Sequence, residues 1–567
     1  MKRTNKMIAG VLLAAFALCG CDLNYFPSDE LNSDVLLQDP AGAEYIMDGC
    51  YALLKDEVEY LGYASGNSYV RHYMQMAEYP ADNCCLAGKT TDPLYEALAY
   101  MMTDNLKNVG TLWMLAYKVI YMCNTVIGST TEGESAATDQ LIGEAYFMRG
   151  LMHLHMVTLY AKPYSQGRDN LGVPLQLTAG NSNITRESVG KVYDQIVKDM
   201  QKAASLMGAP RGNKGYPSHD AALGILSRVY LYMGMYNECI TTVNEMLGNA
   251  DPATKLEPDF ANYFVNAKTS QETLFCIAHE VTDDKGQSSI GSMYNADGGW
   301  GEIYPSDPLL YLYERYPGDI RYTAFIKPQI PDPEATTYNV YFPDPETPDD
   351  ASGRQNLIFP IIMRMDTITH TIVRTDTFKG DDGKLYPVEK RTVQGEYSEY
   401  HVVYKGQDCL ARVSKPMGVR YNYPQYYVTK FGYQDGVSTL SSPVFCRWGE
   451  VILNRAEAYA HLNQTDNALK DVNTIRTRAG IPAEGLFADG NMHGYSDILS
   501  VVLDERRLEL AFEGHRMFDV YRNGLKMDRR FPGAQPWAVV EPTYPKIQYP
   551  IPNSEWTVSG IQQNPTY

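Results

Sequence analysis

The chain has 567 residues and a formal net charge of −19, with 44% hydrophobic and 21% charged residues. That balance is ordinary for a globular protein. Strong acidity without any basic stripe excludes nucleic acid as a partner. Tyrosine is over-represented, at 44 residues against 16 phenylalanines. Its flat apolar face and hydroxyl suit a wet binding surface or the rim of a core.

Lys2, Arg3 and Lys6 open the chain, and Met7 to Leu18 form an apolar run too short for a comfortable membrane span. Leu18-Cys19-Gly20-Cys21 then matches the bacterial lipobox, whose final cysteine is lipidated. Residues 1–20 are therefore expected to be a lipoprotein signal peptide, and an acylated Cys21 to anchor the chain to a membrane. Residues 21–40, polar and carrying Pro27 and Pro40, read as a tether. No later apolar run is long enough to span a bilayer.

Helical spacing begins at Ala41 to Leu54. From Tyr60 to Tyr100 the pattern loosens around Gly62, Gly66, Pro80, Gly88 and Pro93, and Tyr73 and Tyr95 lie in this tyrosine-rich stretch, read as loop. Helices are predicted over Val109–Ile127, Asp139–Tyr160, Val192–Met207 and Ala221–Leu247. The segment from about 250 to 440 is mostly non-helical, and Thr367–Val373 and His401–Tyr404 alternate as short strands do. Within it, Met293–Ser306 places Tyr294 and Trp300 among glycines, just before a helix expected to start near Pro308.

The C-terminal part is the most regular. Val451, Leu453, Ala456, Ala458, Tyr459 and Leu462 mark one amphipathic helix, and Ala468 to Ile475 a second that ends at Gly480, suited to a left-handed cap. A third runs from about Ile498 to Phe512. Two antiparallel helices with a short joint form a hairpin of the tetratricopeptide kind. Tyr230, Gly234 and Cys239 repeat at one constant offset as Tyr459, Asn463 and Ala468, a weak internal repeat split by the long insertion. The fold class is thus mostly α: tetratricopeptide-like hairpins interrupted by a long irregular, β-containing insertion.

Glu505 and Glu509 lie four apart on one helical face, the spacing of an acid–base pair. Their neighbours Arg506, Arg507 and Arg516 favour ionised carboxylates, the wrong direction for a general acid, so a scaffold role is the better reading. None of the ten cysteines has paired zinc-like spacing, and the adjacent Cys84 and Cys85 are read as packing. His153 and His155, two apart on a helix, point to different faces and do not share a metal. No cofactor motif is present.

Three ordered motifs carry a resemblance. Arg447-Trp448-Gly449-Glu450 with Arg455-Ala456-Glu457-Ala458, Asn473-x-x-Arg476-x-Arg478-Ala479-Gly480, and Glu505-Arg506-Arg507-x-Glu509 through Glu513-Gly514-His515-Arg516-x-x-Asp519 closely resemble the SusD/RagB family of Bacteroidetes outer-membrane lipoproteins. Gly143–Gly150, Pro550-Ile551-Pro552 and Gln563-Asn564-Pro565 resemble the same family. The resemblance implies one SusD-like domain over 41–567: an N-terminal helical half with binding loops (41–249), the loop- and β-rich insertion (250–440), and a C-terminal hairpin and tail (441–567). It implies a cell-surface lipoprotein in the outer membrane that binds oligosaccharide and passes it to a TonB-dependent SusC-like transporter, without catalysis. Some relatives take peptides instead. By the same resemblance Trp300 is the first candidate ligand contact, followed by Tyr294, Asp82, Tyr95 and Tyr73. A glycoside hydrolase using Asp297 and Glu302, and a scaffold that binds only protein, are the alternatives from other classes.

Overall fold

A computed structural model describes residues 39, 41–88, 95–180, 185–348, 352–368, 371–393 and 397–567. The signal peptide, Cys21 and the tether lie outside the described residues.

Long helices at Lys107–Ser129, Ala136–Tyr160, Val189–Leu206 and His219–Met233 follow one another with short joints. Each of these four starts two or three residues before the point the periodicity indicates. The starts follow capping chemistry: Ser135, Ser188 and Ser218 each accept a backbone N–H three residues on, satisfying donors that the first turn leaves open. Arg149 crosses from one helix to the next with a two-pronged bond to Asp199, at 2.9 and 2.6 Å.

The internal repeat is real in three dimensions. The expected Ala221–Leu247 helix is a hairpin, His219–Met233 and Tyr236–Leu247, that turns at Gly234 with φ +74°. Its counterpart, Trp448–His461 and Thr465–Arg478, turns at Asn463 with φ +56°. In both, the residue after the left-handed position donates to the carbonyl five back: Met235 to Tyr230 and Gln464 to Tyr459, each at 2.9 Å. Cys239 and Ala468, the third repeated pair, are both fully buried. The hairpins pack on each other, Arg455 of one reaching Asn244 of the other at 2.7 Å.

The insertion is more structured than its prolines indicate. It contains the helices Asp307–Glu314 and Ile320–Phe325, the first where Pro308 announced it. Residues 339–414 supply an antiparallel seven-stranded sheet, in the order Leu385–Pro387, Ile372–Lys379, Asn356–Met365, Asn339–Pro343, Gln407–Ser414, Tyr397–Tyr404, Glu389–Val393. The sheet curls on itself: Tyr386 on one edge strand packs on Tyr404, near the other edge, with ring centres 4.7 Å apart. Phe342, Phe378 and Val402 fill the curl. His401–Tyr404 is strand as expected, whereas Thr367 and Ile368 lie in the turn before Ile372.

One continuous core unites the two ends of the chain, from Ile46 to Ile561. The tail motif explains itself here. Gln563 bonds both backbone groups of Ile551, at 2.8 and 2.7 Å, and Asn564 donates to the Tyr160 carbonyl at 3.0 Å. The tail thereby caps the carbonyl end of the Ala136–Tyr160 helix.

Candidate functional site

The charge string is a buried network. Arg447 bonds Glu509 at 2.6 Å and Glu272 and Glu513 at 2.8 Å. Arg321 and Arg476 hold the two oxygens of Glu505, at 2.6 and 2.8 Å. Burial would raise the Glu509 carboxyl, but Arg478, Arg447 and Arg321 outweigh it and hold the group well below the usual carboxylate range. An acid that stays ionised protonates nothing near neutral pH. These carboxylates clamp the C-terminal helices to the insertion.

The Met293–Ser306 loop behaves differently. Ser292 accepts the backbone N–H groups of Trp300 and Gly301, at 2.6 and 3.0 Å, and Glu302 bonds the Met293 carbonyl at 2.8 Å. The chain is folded back on its own base, and the Trp300 ring is thrown outward, 50% exposed. Its indole N–H donates to the Gln287 carbonyl at 3.2 Å, which fixes the ring direction. Arg420 donates to the Trp300 carbonyl at 2.9 Å and to Glu302 at 2.6 Å.

Arg420 opens the hairpin turn Arg420-Tyr421-Asn422-Tyr423, whose two central residues have φ of +50° and +62°. Such a turn favours Asn or Gly, so Tyr421 holds its place at a steric cost of about 1 kcal/mol. Its ring is 62% exposed. Gly88 makes room beneath: a Cβ there would stand 2.4 Å from the Tyr421 ring. Tyr433, also left-handed at φ +67° and 38% exposed, lies near Asp297 of the Trp300 loop, and burial together with that carboxylate raises its phenol. Gln434 anchors this last turn, donating to the His279 carbonyl at 2.7 Å. Three outward-facing rings are thus held on short, cross-tied loops.

The other expected contacts are placed differently. Tyr294 is 2% exposed and packs between Phe431 and Phe512. Tyr73 is not in a loop but in the helix Tyr69–Glu78, stacked on His155 at 3.7 Å. The cavity it lines is about 10 Å³, with no room for a sugar. Asp82 is buried between Arg516, at 2.8 Å, and Arg507, at 3.4 Å. Burial would raise its carboxyl, yet the two guanidiniums hold it down at about 2. Tyr73, Tyr294 and Asp82 therefore serve the scaffold, because burial leaves them no face for a ligand. Tyr95 starts the short helix Tyr95–Leu98, is half-buried, and donates to the Ala534 carbonyl at 3.3 Å. Tyr421 and Tyr433, exposed here, are not singled out by the sequence, where they only bound a tyrosine-rich run from Tyr421 to Tyr433.

Cys84 and Cys85 are buried free thiols on a strand paired with Ile303–Pro305. That pairing joins the Asp82 region to the base of the Trp300 loop. Among the described residues no helix is long and apolar enough to cross a membrane.

Comparison with known proteins gives a consistent result. Residues 271–567 match the model of the SusD family, and residues 40–231 match one described as starch-binding associating with outer membrane. The SusD-like protein P2 of Formosa agariphila is 23% identical over 438 residues, covering 75% of this chain and 73% of that protein. A SusD superfamily protein of Bacteroides thetaiotaomicron has the same fold, with a TM-score of 0.68 and 21% identity over 93% of this chain and 99% of its own. A laminarin-binding SusD-like protein follows at 0.61, with 18% identity and coverage of 93% and 100%.

Proposed function

This chain belongs to the SusD family, and on that premise we propose that it captures an oligosaccharide on the Trp300, Tyr421 and Tyr433 rings. It then delivers the chain to a TonB-dependent SusC-like transporter. A lipid on Cys21 holds it to the outer membrane, facing outward. The observation that carries the reading is the pinned, half-exposed indole of Trp300 on a loop that Arg420 ties to the turn carrying the strained, exposed ring of Tyr421. Sugar rings present apolar C–H faces that stack on such surfaces, while Asn422, Asp297 and Arg420 are placed for their hydroxyls. Rigid loops keep the ordering cost of binding small.

Capture proceeds without turnover. Glu302, a carboxylate beside the platform, is already paired with Arg420. A glycosidase needs two carboxyls flanking a cleft, one of them protonated; here Asp297 is exposed and Glu302 is mostly covered and ion-paired.

Calorimetric titration against laminarin, starch-derived chains, host glycans and peptides tests the reading, with each mixture checked afterwards for cleavage. Glycan binding without products, weakened about tenfold or more in Trp300→Ala, is the expected result. Cleavage products would move the protein to the enzymes, and binding of peptides alone would make it a peptide-capture protein.

A further inference from the structure

We infer that the groove between Tyr100 and Tyr544 is a second ligand site, and that it takes a sugar bearing a carboxylate, a uronic acid. The site stands apart from the Trp300 platform; only the choice of a sugar as its ligand rests on the capture reading above.

Arg529 carries a charge that the fold leaves unanswered. Arg321, Arg447, Arg506 and Arg529 are all less than 2% exposed. The first three are ion-paired, to Asp319, Glu509 and Asp519, at 2.7, 2.6 and 2.9 Å. Arg529 has no carboxylate partner among the described residues. It donates to the Leu98 carbonyl and, at 3.4 Å, to the Tyr79 carbonyl, and its Nε–H has no acceptor. Two carbonyl dipoles do not neutralise a full charge, and burying a cation without a counter-ion is costly.

Arg529 forms part of the wall of a groove of about 520 Å³. Its guanidinium lies 5.4 Å from the centre of the Tyr100 ring, which lines the same groove. The Tyr100 hydroxyl donates to the Pro80 carbonyl at 2.6 Å, so that ring is fixed. Tyr544 meets it edge to face, with ring centres 6.1 Å apart, and Pro536 and Pro545 extend the apolar surface. Tyr544 and Val539 are 39% and 37% exposed, so the groove opens to solvent. Glu541 in the wall is held by Lys526, and Asp528, opposite Val539 in a strand pair, by Arg530, each at 2.7 Å. The groove is therefore left with a positive potential, in a chain of net charge −19.

A uronic acid supplies what this wall lacks. Its C–H faces suit the two tyrosine rings, and its carboxylate answers the guanidinium. Across a low-dielectric wall the two charges attract without direct contact. A neutral hexose offers the faces alone. The carboxylate end of a peptide would bring its backbone N–H groups against an apolar surface that cannot accept them.

The test is calorimetric titration of the full chain, purified in detergent, with cellobiouronic acid and cellobiose, which differ only in one oxidised C6. At low salt the acid should bind at least about fivefold more tightly, and about 0.5 M sodium chloride should remove the difference. Thr543→Lys, at an exposed position in the lining, should strengthen acid binding several-fold and Thr543→Glu should weaken it, with cellobiose unmoved. Arg529→Gln should abolish the preference, and the exposed Thr543 pair keeps the test decisive should that buried change prevent folding. Equal affinity for the two sugars, no binding of either, or indifference of the acid to both Thr543 variants overturns the inference. Acid binding lost only in Trp300→Ala would place the acid on the platform, so that the platform reading stands and the groove falls. Acid binding moved by the Thr543 variants, with all glycan binding unchanged in Trp300→Ala, would leave the groove standing without the platform. Acetyl-Ala-Ala with a free carboxylate, bound as tightly as the acid, would overturn the sugar assignment.

Discussion

Arg420 holds Trp300 by its backbone, donating to the carbonyl at 2.9 Å while a second nitrogen bonds Glu302 at 2.6 Å. The contact joins the glycine-rich loop to the turn that presents Tyr421, so one guanidinium ties together two segments that carry exposed rings. The pair is partly exposed, and such pairs add only about 0–1 kcal/mol to folding. Its value lies in positioning.

Arg420→Ala should therefore leave the melting temperature within a few degrees of the original and weaken oligosaccharide binding several-fold. Calorimetry beside thermal unfolding checks both halves. Unchanged affinity would show that the loop holds its shape without the guanidinium.

Tyr421→Asn should act in opposite directions on stability and binding. Asparagine tolerates the left-handed backbone at φ +50°, and the relief is worth about 1 kcal/mol. The variant should unfold at a higher temperature and bind glycan about tenfold more weakly. A gain in stability with full binding would remove Tyr421 from the site.

Asp82 gives the protein an acid-sensitive joint. Its carboxyl sits at about 2 in the fold, because Arg507 and Arg516 overcome the cost of burial, against 3.8 when unfolded. The folded value is the lower one, so the stability it confers is complete above pH 3.8 and fades as pH falls towards 2. The amount is of the order of 2 kcal/mol. Asp82→Ala leaves the Arg516 guanidinium without its carboxylate, while Arg507 keeps Asn83 and the residue-82 carbonyl, and should cost about 3 kcal/mol at neutral pH. Urea unfolding from pH 7 to 2 reads both effects, and a variant with unaltered neutral stability would contradict the pairing.

Glu78 works the other way. Burial pushes its carboxyl up to about 7 from 4.5, although Asn83 and the Gly514 and Phe512 N–H groups donate to it and pull back. The folded form holds the proton more tightly, so its contribution is fully present below pH 4.5 and is lost as pH rises through 7. The loss is of the order of 3 kcal/mol. Glu78→Gln cannot ionise, so its stability relative to the parent should rise between pH 4.5 and 7. Parallel unfolding curves for the two proteins over that range would show that Glu78 is not protonated in the fold.

What the sequence determined by itself is whatever depends on residues near in the chain. Helices follow from the spacing of apolar positions and from serine caps. The hairpin turns follow from Gly234 and Asn463, whereas the third C-terminal helix, expected to reach Phe512, ends at Glu509, ahead of the positive-φ Phe512 and Gly514. The scaffold role of Glu505 and Glu509 was legible because their arginine neighbours stand beside them. Exposure could not be read this way. Tyr294 and Trp300 lie six residues apart in one glycine-rich loop, yet one is buried and the other half-exposed. The difference comes from Phe431 and Phe512, which close over Tyr294 from distant parts of the chain, while Gln287 and Arg420 leave the Trp300 ring outside. Asp82 was placed among binding residues until Arg507 and Arg516, far along the chain, folded onto it. Burial is a sum over neighbours that only the tertiary structure brings together, and the tertiary structure therefore chose which tyrosines face solvent.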